Sequence, residues 1–524
     1  MSALPISKFG GLSRFELGNQ ALSATGQMLL WLCELRYFNL GSCRMRPSRG
    51  QSPPDQRTLV GSTAPHIHLE DMLPSPVNDR ATARDLARPP ALRWKNYVTQ
   101  LLAREVSSVT KYFDRLIQWL PRDEDDGSLL DVAQSPLKQV VARDQEFPDL
   151  TGERDQRTAI LVNGTFNHHF DIQGLLMQLK PRLSRTSRLL VILYSPYLRW
   201  LYNLANRLKI RKGELPCTFL TRVDIENLAE VSGFELVRER QLAYFPWRLL
   251  GLGDLINRTL PLVPLLRWFA LTSLVVLRPR IASSPAGLSC VIPARNERGN
   301  IENALKRLEN FPCPIEIIFV EGHSSDGTWD EIQRVAQGYE SRFRIQAFQQ
   351  TGKGKADAVR LGFSKATEPL LTILDADLTM PPEMLERFYR AYCEGHGDFI
   401  NGSRLVYPME GEAMRFLNQL GNVFFAKALS WVLDMRIGDS LCGTKLVTRS
   451  DYDRILAWRR DFGDFDPFGD FELLFPAATL ALGTVDVPVR YLARTYGTTN
   501  IHRFRHGLLL LKMTAIGLFR IKMR

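Results

Sequence analysis

Cysteine is scarce and scattered in this chain. The 524 residues include seven cysteines, with no CxxC pair and no Cys/His cluster at zinc spacing. An odd number of widely spaced cysteines excludes a disulfide-stapled scaffold and indicates reduced thiols, hence a cytoplasmic protein. We expect each cysteine to act as a small buried apolar residue.

Long apolar runs are also missing. No stretch of about 18 uncharged apolar residues is present, so we expect no transmembrane helix. The apolar run at 28–33 is too short and too late for a secretory signal, so we expect no signal peptide. The protein is therefore predicted to be cytoplasmic, either soluble or peripheral on the cytoplasmic face of a membrane.

Acidic residues are outnumbered by basic ones. The chain has 67 Lys and Arg against 56 Asp and Glu, a net charge of +11. A basic surplus favours an anionic partner, which can be nucleic acid, a phosphorylated substrate or a membrane surface. Zinc fingers, RNP-type motifs and aromatic-studded basic repeats are absent from the sequence, so we expect no nucleic-acid partner.

The N-terminal region, residues 1–90, shows little periodicity. Its second half, 41–90, is rich in proline, serine and arginine. Such a composition cannot bury enough apolar surface to offset chain entropy, so we predict a low-order region with room for one helix at 13–38.

Residues 91–280 alternate short apolar runs with amphipathic segments. The pattern predicts helices at 92–119, 171–183, 196–208 and 221–233, and strands at 158–162, 188–193, 234–244 and 271–277. Strands that alternate with helices indicate a parallel α/β sheet, and the last two strands can form an antiparallel edge.

This first α/β region resembles the C-terminal half of a class I S-adenosylmethionine-dependent methyltransferase over 111–279. The resemblance rests on pattern and on Phe219–Phe234, a helix followed by Gly-Phe before a strand. The family carries a glycine-rich loop after its first strand, and the corresponding stretch, Leu129–Pro136, has no glycine. We therefore predict a degenerate, non-catalytic domain without S-adenosylmethionine as a cofactor; the alternative is a divergent active enzyme, which would make the protein bifunctional.

Residues 288–501 place polar motifs directly after predicted strands. Strand 288–293 leads into Ala294-Arg-Asn-Glu297, strand 316–320 into a loop beginning at Glu321, and strand 370–374 into Asp375-Ala-Asp377. Ligands of α/β folds bind at the carboxyl ends of strands. Two carboxylates one residue apart can approach one divalent cation, and hard oxygen ligands suit Mg²⁺ or Mn²⁺ bound to substrate phosphates. The motif Gly352-Lys-Gly-Lys355 opens a helix whose N–H and ammonium groups suit an anion.

Taken in order, VIPARNE, EGHSSDGT, GKGKADAVRLGF and LDADL resemble the family 2 glycosyltransferases of GT-A fold, particularly the dolichyl-phosphate mannose synthase-like, polyprenyl-phosphate glycosyltransferase branch. Four later segments fit as well: 401–404 (NGSR), 439–445 (DSLCGTK), 470–474 (DFELL) and the 494–499 loop. Two departures are Thr498-Thr-Asn500 in place of Ser-Lys, and Met380 where His is frequent. The predicted fold class is thus α/β, with two Rossmann-like domains in tandem.

The resemblance implies an inverting, metal-assisted transfer of a sugar from a nucleotide diphosphate sugar to an acceptor, with a polyprenyl (lipid) phosphate expected. The donor-binding residues would be Pro293, Ala294, Asn296, Glu297, Glu321, Asp326, Lys353, Asp375, Ala376 and Asp377. Of these, Asp375 and Asp377 would hold the metal. Candidate catalytic residues are Arg404, Lys445, Asp470 and Glu472, and the acceptor phosphate would be bound by Arg404, Arg490 and Arg494.

The acceptor decides whether a general base is needed. A lipid phosphate oxygen is already anionic and needs little help, with arginines to neutralise it. A sugar hydroxyl, as in cell-surface polysaccharide synthesis, requires a base, for which Asp470 or Glu472 is the candidate. An alternative of another class is a non-catalytic scaffold.

The basic surplus is concentrated at the C-terminus. From Val487 to Arg524 there are eight cationic residues and no acidic one. Residues 502–524 are predicted to form a basic amphipathic helix that lies on an anionic membrane surface. The alternative is a helix packed on the protein with solvated charges.

Overall fold

Two β-sheets form the framework of the protein. The computed structural model describes residues 97–153, 155–208, 214–284, 286–408, 416–463, 466, 469–497 and 503–523. The predicted low-order region 1–90 and the predicted helix 13–38 lie outside these residues. Residues from Leu86 onward group into one compact unit, which contains both sheets.

The first sheet has six strands, in the region predicted to be α/β. They are β1 (Arg115–Trp119), β2 (Leu137–Val141), β3 (Thr158–Asn163), β4 (Arg188–Tyr194), β5 (Phe234–Leu242) and β6 (Thr272–Pro279). The order is β2-β1-β3-β4-β6-β5, with β1 to β4 parallel. The predicted antiparallel pairing of the last two strands is confirmed, with β6 inserted between β4 and the edge strand β5.

Helices of this half are α1 (Tyr97–Thr110), α2 (Ser128–Val132), α3 (Ile172–Leu179), α4 (Arg199–Arg207), α5 (Arg222–Val231) and α6 (Leu252–Thr259). Cores lie on both faces of the sheet because alternate strand residues point to opposite sides. In β3, Ile160 and Val162 join one core, whereas Ala159 and Leu161 join the other, and all four are completely buried.

Two predictions for this half are wrong. The helix predicted over 92–119 ends at Thr110, and β1 follows at 115–119, where Leu116 and Ile117 are completely buried. Periodicity does not separate a short, fully buried strand from a buried helical segment. The stretch Leu129–Pro136 does not directly follow the first strand, because its first four residues lie in α2 and the loop after β1 is 120–127. That loop contains one glycine, Gly127, at φ +71°.

The second sheet has seven strands. They are β7 (Leu288–Ala294), β8 (Ile315–Glu321), β9 (Arg344–Gln349), β10 (Leu370–Ile373), β11 (Phe399–Ser403), β12 (Lys445–Thr448) and β13 (Thr484–Pro488). The order is β13-β11-β12-β10-β7-β8-β9, and β12 is antiparallel to both of its neighbours. The chain reverses its direction of travel across the sheet between β7 and β10, which is where open α/β sheets bind ligands.

Eight α-helices accompany this sheet among the described residues. They are α7 (Ile301–Lys306), α8 (Thr328–Gly338), α9 (Lys355–Lys365), α10 (Leu385–Cys393), α11 (Phe416–Leu433), α12 (Arg449–Phe462), α13 (Phe471–Thr479) and α14 (Arg503–Gly517). The cores again alternate along a strand: Val291 of β7 joins one, and Cys290 and Ile292 join the other.

A buried charge cluster joins the two halves. Asp398, just before β11, accepts from Arg188 at 2.5 Å, Arg185 at 3.3 Å and Arg278 at 3.4 Å. The Gly483 amide donates to the same carboxylate at 2.9 Å. Burial alone would raise the pKa of Asp398, but the three guanidinium groups outweigh it and hold that pKa well below its usual range.

The C-terminal helix α14 packs on the protein. Leu510 and Met513 are buried in the core that also contains residues of α11. The Lys522 ammonium donates to Asp434, and the Arg520 guanidinium lies over the Phe462 ring, 4.1 Å from its centroid. Leu508, on the same helix, is exposed, so contact with a membrane stays a prediction. None of the helices in the described ranges is long and apolar enough to cross a bilayer.

Candidate active site

The candidate site lies at the edge of the second sheet where β7, β8 and β10 end. These three strands are parallel and adjacent, so their carboxyl ends meet at one edge. Ala294 ends β7, Glu321 ends β8, and Asp375 follows β10. The three motifs predicted to follow strands, which begin at Ala294, Glu321 and Asp375, therefore meet at one edge of the sheet as expected.

The loops after β7 and β8 are tied to each other by side chains predicted to hold the donor. Asn296 adopts a left-handed conformation with φ +57°, which asparagine tolerates better than most residues. Its backbone amide donates to Ser324 Oγ at 2.9 Å, and its side-chain Oδ1 accepts from the backbone amide of Ser325 at 2.9 Å. Buried Glu321 accepts from the Ser324 amide at 2.5 Å. Both residues thus shape the loops that border the site.

Asp326 is held in the same loop by several donors. Thr328 donates through its hydroxyl at 2.5 Å and its amide at 3.0 Å, and the Arg298 amide donates at 3.2 Å. Burial opposes ionisation, but these hydrogen bonds outweigh it and lower the pKa of Asp326. Tyr496 belongs to the loop after β13, called here the terminal loop, and its hydroxyl donates to Asp326 at 3.2 Å. The terminal loop therefore lies over the predicted donor side.

The Arg494 guanidinium pairs with two residues that are predicted to bind the sugar donor. Its Nη1 lies 2.8 Å from Glu297 Oε1, and its Nη2 lies 2.6 Å from Asp377 Oδ2. Burial raises the pKa of Glu297, and the negative charge of Asp377 adds to this against the opposing effect of Arg494. Arg494 is predicted to bind the acceptor phosphate; in the structure its guanidinium pairs with Glu297 and Asp377, two residues predicted to bind the donor.

The lysine beside Asp375 is Lys355, which the sequence reasoning did not select. Its Nζ lies 2.5 Å from Asp375 Oδ1. Burial opposes ionisation of Asp375, but the Lys355 ammonium outweighs it and lowers the pKa of this carboxyl. The predicted residue, Lys353, is exposed in the loop before α9. The GKGK motif shows that a lysine is available near this edge. Which of the two lysines reaches Asp375 depends on where α9 begins, and it begins at Lys355.

Gly443 lies directly over this ion pair. A Cβ atom built at Gly443 would collide with both Lys355 Nζ and the Asp375 carboxylate. Any side chain here would have to displace the ends of the Lys355 and Asp375 side chains, and so would disturb their ion pair. This contact gives a physical reason for a glycine at position 443 of the 439–445 segment.

Arg404 is oriented by a buried carboxylate. Asp439, completely buried, accepts from Arg404 Nε at 2.7 Å and Nη2 at 3.0 Å, a bidentate geometry. The Arg404 amide donates to the same carboxylate at 3.1 Å. Asp439 therefore fixes both the backbone and the guanidinium of the residue that follows β11.

Lys445, a predicted catalytic residue, pairs with one of the two candidate bases. Lys445 begins β12 and is almost completely buried, and its Nζ lies 2.6 Å from Asp470 Oδ1. The charges of Lys445 and Arg404 both help to lower the pKa of Asp375. Arg404, Lys445, Asp470 and the Lys355–Asp375 pair thus form one charged cluster.

Glu472, the other candidate base, lies in a separate network. Arg360 Nη1 donates to both of its oxygens, at 3.0 and 2.9 Å, and Arg459 Nε lies 3.4 Å away. Both arginines come from helices, α9 and α12, rather than from the edge of the sheet. The structure therefore brings Asp470, but not Glu472, to the charged cluster.

Three remaining predicted residues occupy different places. Ala376 is buried, and Pro293 is half-buried near the end of β7. Arg490 is exposed, and its charge contributes to lowering the pKa of Glu383, which burial alone would raise. The role predicted for Arg490 at the acceptor phosphate therefore stays a prediction.

The carboxylates after β10 fit a divalent cation that arrives with a diphosphate. Within the described residues, no three His, Cys, Asp or Glu side chains group closely enough to cage a metal. Mg²⁺ in nucleotide sites needs only one or two carboxylates, because phosphates and waters supply the other oxygens. Asp375 and Asp377 meet that requirement, and each is balanced here by a cation, Lys355 or Arg494.

Comparison with known proteins decides the class of this half. Residues 289–455 match the model of the family described as "Glycosyl transferase family 2". These residues are a glycosyl transferase family 2 domain. The predicted family 2 glycosyltransferase domain is therefore confirmed for residues 289–455, and its sheet is consistent with the predicted GT-A fold.

Relatives of the glycosyltransferase domain include lipid-phosphate sugar transferases by name. A dolichol-phosphate mannosyltransferase of Pyrococcus furiosus is 32% identical over 136 residues, 25% of this chain and 37% of the relative. A dolichyl-phosphate hexose transferase of Haloferax volcanii is 26% identical over 221 residues, 42% of this chain and 89% of the relative. The chain thus spans well under half of the first of these two proteins.

A solved structure is also similar to the chain. The mannosyltransferase PcManGT from Pyrobaculum calidifontis, in complex with GDP-Man and Mn²⁺, matches with a TM-score of 0.33 and 17% identity. The match covers 45% of this chain and 65% of that chain.

Proposed function

We propose that the protein transfers a sugar from a nucleotide diphosphate sugar to a polyprenyl phosphate, with inversion at the anomeric carbon and with a divalent metal. The observation that carries the proposal is the charged cluster at the sheet edge. There, Asp375 and Asp377 meet the cations Lys355, Lys445 and Arg404 within one site. Carboxylates suit a metal-bound diphosphate, and the cations suit a second anion beside it.

The donor would occupy the side of the site formed by the β7, β8 and β10 loops. Asp375 and Asp377 would hold the divalent cation, which when bound neutralises charge on the leaving diphosphate. Glu321, Asn296 and Asp326 would border the nucleoside, since their hydrogen bonds set the shape of these loops. Tyr496 would help to exclude water by holding the terminal loop against Asp326.

The acceptor phosphate would lie beside Lys445 and Arg404. Its anionic oxygen attacks the anomeric carbon from the face opposite the diphosphate, which inverts the configuration. Such an oxygen needs little help from a base. Two facts support this reading over a sugar hydroxyl acceptor: Asp470 is ion-paired with Lys445, and Glu472 is held by two arginines away from the cluster. The names of the two curated relatives point the same way.

We also propose a location on the cytoplasmic face of a membrane, where a polyprenyl acceptor would be found. The cysteines of the described residues are free thiols, in agreement with a reducing compartment. The basic C-terminal segment would add attraction to anionic headgroups.

The first α/β half is proposed to be methyltransferase-like but non-catalytic. A cavity of about 450 Å³ lies at the carboxyl ends of β1 and β2, bordered by Asp123, Asp125 and Asp144 among others. Asp125 accepts from Gln118 and from Asn163, at 2.6 and 2.8 Å, so this loop is braced by its own side chains. Titration with S-adenosylmethionine tests the proposal: we expect no binding at micromolar concentration, and saturable binding would contradict it.

The transferase proposal is tested by product analysis. The full chain is incubated with a polyprenyl phosphate, Mn²⁺ and either GDP-mannose, UDP-glucose or UDP-N-acetylglucosamine, and lipid products are identified by mass spectrometry. We expect one glycolipid product, lost with EDTA and restored by excess Mn²⁺. Asp375→Ala should abolish it, whereas Asp330→Ala, an exposed acid on α8, should not. Transfer to a soluble sugar without any glycolipid would favour the polysaccharide reaction, and no turnover of any donor would favour the scaffold.

A further inference from the structure

An exposed apolar surface lies on the first α/β half. It is formed by two segments, 196–208 and 247–269, and we call it the tryptophan surface. Trp200, Trp247 and Trp268 are 62%, 56% and 60% exposed. Large exposed apolar patches on a folded protein mark a surface that contacts something else.

The helix in the first segment has apolar residues on two faces. Tyr202 of α4 is buried, and its hydroxyl donates to the Leu271 carbonyl, which fixes the helix on the sheet. Trp200, Leu204 and Leu208 follow at intervals of four residues and are all exposed. Residues four apart lie on the same side of a helix, so these three form an outward apolar stripe. Burial in the core accounts for Tyr202 but not for this stripe.

The two segments form one continuous surface. The rings of Tyr197 and Trp268 lie 6.0 Å apart, centroid to centroid, which joins the start of α4 to the turn at Pro264–Phe269. That turn contacts the turn at Leu260–Leu262, which in turn contacts α6. Exposed apolar side chains along this segment include Leu250 before α6, Leu255 within α6, and Leu265 and Phe269 in the Pro264–Phe269 turn.

The charge of the surface identifies an anionic occupant. Residues 196–208 and 247–269, which form the surface, contain five arginines and one acidic residue, Asp254. Asp254 is already engaged, by the Tyr97 hydroxyl at 2.6 Å and by Arg248 at 3.3 Å. A second copy of this surface would bring the same positive charge against itself, which argues against a homodimer here. Tryptophan, leucine and arginine together are the composition of a helix that lies in a membrane interface.

We propose that the tryptophan surface docks the protein on a bilayer that contains anionic lipids, with the indole rings at the level of the headgroups. The surface continues toward the glycosyltransferase domain, because Arg267 lies 3.6 Å from Asp434, which follows α11. On α11 itself, Leu420 and Phe424 are exposed. The docked protein would therefore meet the membrane with both halves. The role assigned to this docking, access to a membrane-embedded acceptor, rests on the proposed function; the docking itself does not.

Vesicle binding by the full chain tests the proposal. Co-sedimentation is measured with vesicles of phosphatidylcholine containing 30% phosphatidylglycerol and with pure phosphatidylcholine. We expect binding to the anionic vesicles only, weakened at least tenfold by the double variant Trp200→Glu/Trp268→Glu. The matched control is Phe170→Glu, which adds a charge at an apolar residue that is 91% exposed but outside the surface, and it should leave binding unchanged. A second double variant, Trp200→Ser/Trp268→Ser, removes the rings without adding charge and should also weaken binding.

Each other outcome would overturn the proposal. Wild-type protein that ignores anionic vesicles, or double variants that bind as well as wild type, would exclude membrane docking at this surface. A wild-type dimer that becomes a monomer in the variants, measured by light scattering without vesicles, would identify a second copy as the occupant. Thermal melting and donor hydrolysis without vesicles are expected to be unchanged, since the substituted side chains are exposed. Failure of donor hydrolysis in the wild type would instead count against the proposed function, and the vesicle result would stand separately.

Discussion

Asp398→Asn tests how strongly the two halves depend on each other. The substitution keeps the size of the side chain and an oxygen for the Gly483 amide, but removes the charge that faces Arg185, Arg188 and Arg278. Arg188 and Arg278 are almost completely buried, so neither guanidinium can turn to water when its partner is lost.

The expected loss is large because buried charges would be left unpaired. Breaking a buried ion pair from one side costs about 3–5 kcal/mol of unfolding free energy. The matched control is Glu226→Ala, which breaks an exposed pair with Arg222 on α5. Exposed pairs four residues apart on a helix contribute about 0.3–0.5 kcal/mol. The two variants should therefore differ several-fold in their effect.

The pH dependence gives a second measurement of the same cluster. The pKa of Asp398 is held below its usual range by the arginines, so the native state binds fewer protons than the unfolded state in acid. The stability that Asp398 contributes is then complete above about pH 5 and is lost as pH falls below the unfolded pKa of about 3.9. The difference between wild type and Asp398→Asn should be constant from about pH 5 to 8 and should shrink below about pH 4.

Urea unfolding followed by circular dichroism, across this pH range, provides the measurement. A loss below about 1 kcal/mol at pH 7, similar to that of Glu226→Ala, would refute the reasoning. So would a difference between wild type and variant that does not change in acid.

Three further predictions concern the site. Gly443→Val should lower the transfer rate by about 10²-fold or more with little change in melting temperature, because its side chain would separate Lys355 from Asp375; a normal rate would contradict the observed contact. Asp470→Asn should cost about 10²-fold in turnover, because it removes the carboxylate that holds the buried Lys445 ammonium in the charged cluster. Glu472→Gln should cost less than about tenfold in turnover but about 1–3 kcal/mol in stability, because it weakens a pair outside the cluster; a larger loss of turnover for Glu472→Gln than for Asp470→Asn would contradict the assignment of Asp470 to the cluster. Tyr496→Phe should raise KM for the donor about two- to fivefold at unchanged kcat, since it removes one hydrogen bond to the loop; steady-state kinetics check this.

The sequence pattern was sufficient to predict those parts of the site that consist of one strand and the loop directly after it. Strands β7, β8 and β10 are short apolar runs, and polar residues follow each of them directly, so their meeting at one edge could be predicted. The capping box at Thr221 and Asp224 likewise confirms the predicted start of α5, because both residues act within one helical turn. The helix predicted over 92–119 was wrong at β1 because β1 is buried between two strands, β2 and β3, that lie later in the chain and that a local pattern does not reveal.

From its residue order alone, the chain already specified the kinds of groups in the site: carboxylates after β10 and a glycine-lysine loop before α9. The partners of these groups depended on tertiary structure. Asp439 reaches Arg404 across 35 residues, and Arg494 reaches Glu297 across 197. The antiparallel course of β12 brings Lys445 to Asp470. Charged side chains pair with whichever opposite charge the packed backbone brings within about 3 Å, and that geometry is a property of the whole fold rather than of any local segment.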